Sequence, residues 1–217
     1  MQFLLTDDEI AALAASTNRA WPLPLLTVPA HASALKAAAF RGLRSLVVRG
    51  FATPLDREET TIAPELLRLM VRAGGAACVR IAHVSRLTDA NIAGASVAVF
   101  EDESGALVDT ANAMGIHAIE ECRVADSLPL VSDFVSTRFD PDEAAHLSSG
   151  LCILVANSRD SRVARVRPGL IEIGVVETHP AMAPEFVAQE ETGDIDVVDG
   201  IIRGGTGPSS QLTAQHG

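Results

Sequence analysis

Six histidines are the residues whose chemistry could define a site: His31, His83, His117, His146, His179 and His216. None pairs with another at i, i+4 on one helix face, and no cysteine–histidine pair has the spacing of a zinc site. The densest grouping is His117 with Glu120, Glu121 and Cys122. On a strand, His117, Glu121 and Arg123 share one face, and the simplest reading of that face is the solvated side of a sheet. Glu177 and His179 share a face in the same way. Asp194, Asp196 and Asp199 imitate part of a calcium loop, but the glycine and terminal glutamate at the required offsets are missing. Gly204-Gly205-Thr206-Gly207 lacks the Lys-Ser or Lys-Thr of a phosphate loop. No G-x-S-x-G is present for a hydrolase nucleophile. Catalysis therefore has no positive support, and the residues nominate no catalytic, metal or cofactor site. A deep pocket gathering His117 or His179 with carboxylates would revive an enzyme.

The composition narrows the classes further. The chain has 217 residues, 47% of them hydrophobic and 21% charged, a globular balance. Its 28 acids outweigh 17 bases for a net charge of −11, which disfavours general phosphate binding. Tyrosine is absent, Trp21 is the only tryptophan and Lys36 the only lysine. Stacking platforms for nucleic-acid bases are therefore not on offer. Cys78, Cys122 and Cys152 are widely spaced in apolar stretches. They read as buried reduced thiols of a cytosolic protein, with a structural disulfide as the alternative. No apolar run is long enough to span a bilayer. The start carries Asp7, Asp8 and Glu9 and no base, the wrong character for a signal peptide. The expected location is the cytoplasm.

Helices dominate residues 6–74. Thr6-Asp7-Asp8-Glu9 is a capping box that opens a helix over about residues 7–16. Trp21-Pro22-Leu23-Pro24-Leu25-Leu26 cannot continue it and reads as an extended apolar crossing. A second helix spans about Ser33 to Arg49, with Leu35, Ala38, Ala39, Leu43, Leu46 and Val47 on one stripe and Gly50 as its left-handed cap. Pro64 opens a third, which stops at Gly74-Gly75.

From Cys78 the period changes from 3.6 to 2. Residues 78–84, 95–101, 106–111 and 116–124 are four strand candidates. They predict an antiparallel meander over residues 78–124, with one face wet and one on the core. Helices are expected over 127–136 and from Asp140 to Gly150, then strands over 151–156, 162–166 and 170–176. Helices then strands thus occur twice, a weak echo. Residues 185–199 hold six acids and no base, and the chain then turns Gly/Ser-rich. Residues 185–217 are expected to be a flexible acidic tail after one α+β domain over 1–184.

Arg41, Arg44 and Arg49 raise a winged-helix DNA-binding regulator as an alternative. Gly50 to Ala63 is far longer than the turn of a helix-turn-helix, and nucleic acid is a poor match for so acidic a chain.

Several segments resemble the EspG-type secretion-associated proteins of actinobacteria, cytosolic chaperones of type VII (ESX) secretion. Leu5-Thr6-Asp7-Asp8-Glu9-Ile10-Ala11-Ala12-Leu13 looks like that family's opening helix, and Trp21-Pro22-Leu23-Pro24-Leu25 like its proline-rich crossing. Gly42 to Phe51 looks like its "leucine, two small apolar, Arg-Gly-large apolar" segment, and Pro64 to Leu69 like the helix before its strands. Family members are longer and carry two quasi-equivalent halves, whereas residues 127–149 here make a brief second helical stretch. The resemblance implies a central antiparallel sheet with helical layers. It also implies a non-catalytic role, holding an aggregation-prone PE–PPE pair until the secretion machinery takes it, with no cofactor. It transfers no binding residue to a named position. The remaining alternative is an interaction module with another partner.

Overall fold

A computed structural model of the chain describes residues 2–19, 21, 25–55, 60–86, 95–139, 151–157, 162–167, 170–177, 185–192 and 196–203. It is a mixed α+β fold. The elements run β1 (Gln2–Thr6), α1 (Asp7–Thr17), α2 (Ala32–Val48), β2 (Ala52–Pro54), β3 (Thr60–Ile62), α3 (Pro64–Gly74), β4 (Cys78–Arg86), β5 (Ser96–Asp102), β6 (Gly105–Ala111), β7 (Ile116–Cys122), α4 (Val124–Phe139), β8 (Leu151–Asn157), β9 (Arg162–Arg167), β10 (Leu170–Glu177), β11 (Glu185–Thr192) and α5 (Asp196–Arg203).

The local signals that start these helices are visible in the contacts. Thr6 Oγ1 accepts from the Glu9 amide at 3.2 Å, and Glu9 Oε2 accepts from the Thr6 amide at 2.9 Å, closing the capping box. Pro64 stands in the first turn of α3. Gly50 follows α2 with φ +77°, the left-handed geometry that suits glycine after a helix end. The cap of α2 is His31, whose Nδ1 accepts from the Ala34 amide at 3.2 Å.

All the long strands join one antiparallel nine-stranded sheet in the order β1-β7-β6-β5-β4-β8-β9-β10-β11. It is built from two meanders, β4–β7 and β8–β11, that meet along their first strands from Arg80↔Asn157 to Arg86↔Leu151. A helix follows each meander, α4 after β7 and α5 after β11, and the two helices touch. β1 adds to the outer edge of β7, from Gln2↔Glu120 to Thr6↔Ile116.

Side-chain alternation sorts the core into two layers. On one face Leu5, Ile10, Leu13, Leu66 and Met70 pack over Ala98, Phe100, Leu107 and Ile119. On the other, Val131, Phe134 and Val135 of α4 and Val198, Ile201 and Ile202 of α5 pack over Val97, Val99, Val108, Val166 and Ile171.

Two expectations are corrected here. The meander over 78–124 does not have one wet face: β5 and β6 are buried on both, because helices cover both sides. Residues 185–192 and 196–203 are not a flexible tail. The first segment pairs with β10 as β11, and the second is α5, whose Val198, Ile201 and Ile202 are buried. Its apolar residues fall at i, i+3 and i+4, so they face the sheet while Asp196 stays exposed. The opening residues 2–6 are a strand, and Gly50 to Ala63 contains the short β2–β3 hairpin. The helix expected over 140–150 lies outside the described residues.

α1 and α2 cross at Gly42. A side chain there would begin 1.8 Å from the carbonyl oxygen of Asp8 and 2.7 Å from the amide nitrogen of Glu9. Both obstacles are backbone, so the helices would have to separate. Gly42→Ala is expected to cost about 3 kcal/mol, read as a lower urea midpoint at unchanged slope.

Candidate functional site

Two features sit beneath and beside α1: a sealed polar network and an open apolar groove. The network centres on His117. β7 points this side chain under the N-terminus of α1, and it is fully buried. Nδ1 lies 2.8 Å from Asp109 Oδ2, and Nε2 lies 2.8 Å from Asp7 Oδ1. Asp109 also accepts from Trp21 Nε1 at 3.2 Å. Asp7 Oδ2 accepts from both the amide and the hydroxyl of Thr27, each at 2.6 Å. The Asp7 amide in turn donates to the Gly115 carbonyl at 2.8 Å. Gly115 has φ +67°, and a side chain there would begin 2.3 Å from Asp7 Oδ2.

Both ring nitrogens face carboxylates, so the imidazole is held as the doubly protonated cation. Burial alone would depress its pKa, but the hydrogen bonds to Asp109 and Asp7 outweigh that and raise it to about 9. Burial pushes the Asp7 carboxyl up, yet its bonds to His117 and Thr27 leave it below the usual value. The arrangement stores charge and fixes geometry. It offers no ring nitrogen to a substrate, and direct contacts of 2.8 Å leave no room for a metal between the partners. Among the described residues no group is arranged to hold a metal ion.

The expected grouping around His117 comes apart. Glu121 is exposed and pairs with Arg72 at 2.6 Å. Arg123 lies beyond the strand and pairs with Asp126. Cys122 turns to the opposite face, against the α4 layer. Its thiol is pushed up by burial and by Asp126 and Glu120. The solvated face expected for His117 is thus corrected: it is the most enclosed imidazole in the described structure, neutralised by Asp7 and Asp109. Neither Cys78 nor Cys122 is in a disulfide.

The other candidates disperse. His83 and Ser96 are direct partners across β4 and β5, and His83 Nδ1 and Ser96 Oγ are buried without a hydrogen-bond partner among the described residues. Burial lowers the His83 pKa to about 4, so this imidazole is neutral. Asp199 accepts from Ser132 Oγ at 2.8 Å, tying α5 to α4. Asp194, His146, His179, His216 and the Gly204–Gly207 run lie outside the described residues.

The bases of α2 are not an open basic face. Arg41 makes two 2.7 Å bonds to Asp8. Arg49 bonds Glu9 at 2.7 Å and the Leu4 carbonyl at 2.8 Å. Only Arg44 of the three makes no ion pair with a described residue.

The groove lies between α1 and α2 and is closed on a third side by residues 25–30. It encloses about 980 Å³. Its walls are the small and aliphatic side chains of Ile10, Ala11, Ala14, Leu25, Val28 and Leu43, with Phe40 at the mouth. Phe40 is 63% exposed, a large apolar group left in water. The groove's hydroxyls are already used: Ser16 donates to Ala12 O at 2.8 Å, and Thr27 is held by Asp7. The site can hold an apolar body, and its walls present no acid–base pair.

No protein-family model matches the chain, and no curated protein matches it.

Proposed function

We propose that this chain is a non-catalytic binding protein of the EspG type, one that holds a PE–PPE-like secreted pair in the cytosol before export. The observation that carries the reading is the doubling of the sheet. Two helix-associated meanders meet at β4 and β8, and a central antiparallel sheet with helical layers is what the resemblance of residues 5–69 implies. Three further facts support it. The imidazole buried beneath α1 is consumed by carboxylates. The helical layer leaves apolar surface open beside α1. The acidic body, at net charge −11, favours solubility of a complex with an apolar client. Among the described residues no helix is long and apolar enough to cross a membrane.

The test is co-expression of the tagged chain with each PE–PPE pair encoded in the same genome, followed by affinity capture and size-exclusion chromatography. The expected result is one pair that co-elutes with the chain as a discrete species. Failure of every pair to survive capture, with the chain itself folded, would contradict the assignment.

A further inference from the structure

We propose that the groove between α1 and α2 is a binding site for a single aliphatic chain ending in a carboxylate, with the tail along the groove and the head at Lys36. The proposal does not depend on the client reading above, since it concerns a small amphiphile rather than a protein partner.

Size and lining define the tail site. A volume of about 980 Å³ stands at the upper end of the roughly 300–1,000 Å³ usual for small-ligand sites. Alanines from both helices, among them Ala11, Ala14 and Ala39, keep the walls thin, so the groove is a slot that its own side chains do not fill. Phe40 at the mouth is exposed, and an alkyl chain would cover it.

Charge defines the head. The chain carries 28 acids, yet among the described residues no aspartate or glutamate lines the groove, while Arg19 and Lys36 do. The bonds from Arg41 to Asp8 and from Arg49 to Glu9 set the start of α1 against the later turns of α2. The helices are therefore antiparallel. Arg19, just beyond the end of α1, and Lys36, in the second turn of α2, mark the same end. The positive end of the α2 dipole lies there too. Neither Arg19 nor Lys36 makes an ion pair with a described residue, whereas Arg41, Arg49, Arg72, Arg80 and Arg165 are each held by a carboxylate. Arg19 rests against the end of α3 beside Gly74, which leaves Lys36 as the head-group contact. A cationic amphiphile would meet two like charges, and a neutral one would leave both unanswered.

The chain supplies its own reporters. Trp21 is the only tryptophan and tyrosine is absent, and Trp21 lines the groove, so ultraviolet-excited emission reads this site. Lys36 is the only lysine, so an amine-selective anhydride modifies one side chain. Dodecanoate, titrated below its micellar concentration, is expected to change Trp21 emission saturably with one molecule per chain. Shortening or lengthening the tail by one methylene is expected to change the dissociation constant about threefold to fourfold. Dodecanol and dodecyltrimethylammonium are expected to bind about twofold to fivefold more weakly. Dodecanoate, but not dodecanol, is expected to shield Lys36 from the anhydride. Lys36→Glu is expected to erase the preference for dodecanoate over dodecanol while keeping dodecanol binding. Ala39→Leu, which fills the slot, is expected to weaken both. Non-saturable binding, equal affinity for the three head groups, or a Lys36→Glu variant with wild-type preference would each overturn the proposal.

Discussion

Replacing His117 with leucine is expected to lower the free energy of unfolding by about 3–5 kcal/mol, the cost of stranding buried charge whose partner is removed. Asp7 and Asp109 would then face each other across an apolar side chain with no cation between them, and both are buried. Urea denaturation at pH 7 measures the loss. Adding Asp7→Asn and Asp109→Asn to the leucine variant is expected to recover part of it, because the uncompensated carboxylates cause most of the damage. A single variant as stable as the wild type would show that the three groups do not act as a charged unit.

The same network makes stability depend on pH in a direction that can be worked out. The folded pKa of His117, about 9, lies above the ordinary value of 6.5. The folded state therefore holds a proton that the unfolded chain releases. The contribution is complete below pH 6.5 and is lost as pH rises through 9. Over that window the loss is on the order of 3 kcal/mol. Asp7, with its pKa held below 3.8, acts oppositely: its contribution is present above that value and falls away in acid. Buried His83 also acts oppositely: its folded pKa of about 4 lies below 6.5, so stability falls as pH drops through that interval, and the maximum is expected near pH 6.5. His117→Leu should flatten the alkaline limb. A wild-type stability that stays level from pH 6.5 to 9 would contradict the charged imidazole.

Arg80→Met is expected to have a comparable effect, about 3–5 kcal/mol. Arg80 is buried on the face covered by α5 and forms an ion pair there with buried Glu101. Its Nε also donates to the carbonyl of Ile202 at 2.5 Å. One side chain thus joins β4, β5 and α5. Methionine preserves much of the volume but leaves Glu101 buried without this cation. Calorimetric melting measures the cost, and amide exchange in α5 should accelerate more than in α1. Arg80→Met combined with Glu101→Leu should be more stable than Arg80→Met alone. If the double variant is no better, the loss comes from packing rather than from the stranded charge.

These two sites also mark the limit of what the amino-acid order reveals. Elements with strong local signals are legible. The capping box at Thr6 and Glu9, the proline opening α3 and the Gly50 cap place α1, α2 and α3, and period-two alternation places β4 to β7. β1 escapes because five residues are too short to display a period, and its pairing comes from residues 116–120. β11 and α5 escape for a different reason. The six acids of residues 185–199 carry the composition of a solvated tail, while the apolar spacing of Val198, Ile201 and Ile202 is confined to two helical turns. The His117 network could have been approached from one clue, an aspartate inside the apolar run Ala106 to Ala111, across a tight turn from His117. Asp7 could not, since it reaches the ring from 110 residues away. The groove is invisible at that level too, because α1, α2 and residues 25–30 form it together.

The central claim is that the chain captures a secreted helical pair and performs no chemistry on it. Light scattering on the size-exclusion peak of the chain co-expressed with each PE–PPE pair encoded in the same genome tests this most directly. The account predicts one peak whose mass equals the sum of all three intact chains and persists on dilution. A peak with the mass of the chain alone, for every pair tried, would contradict it.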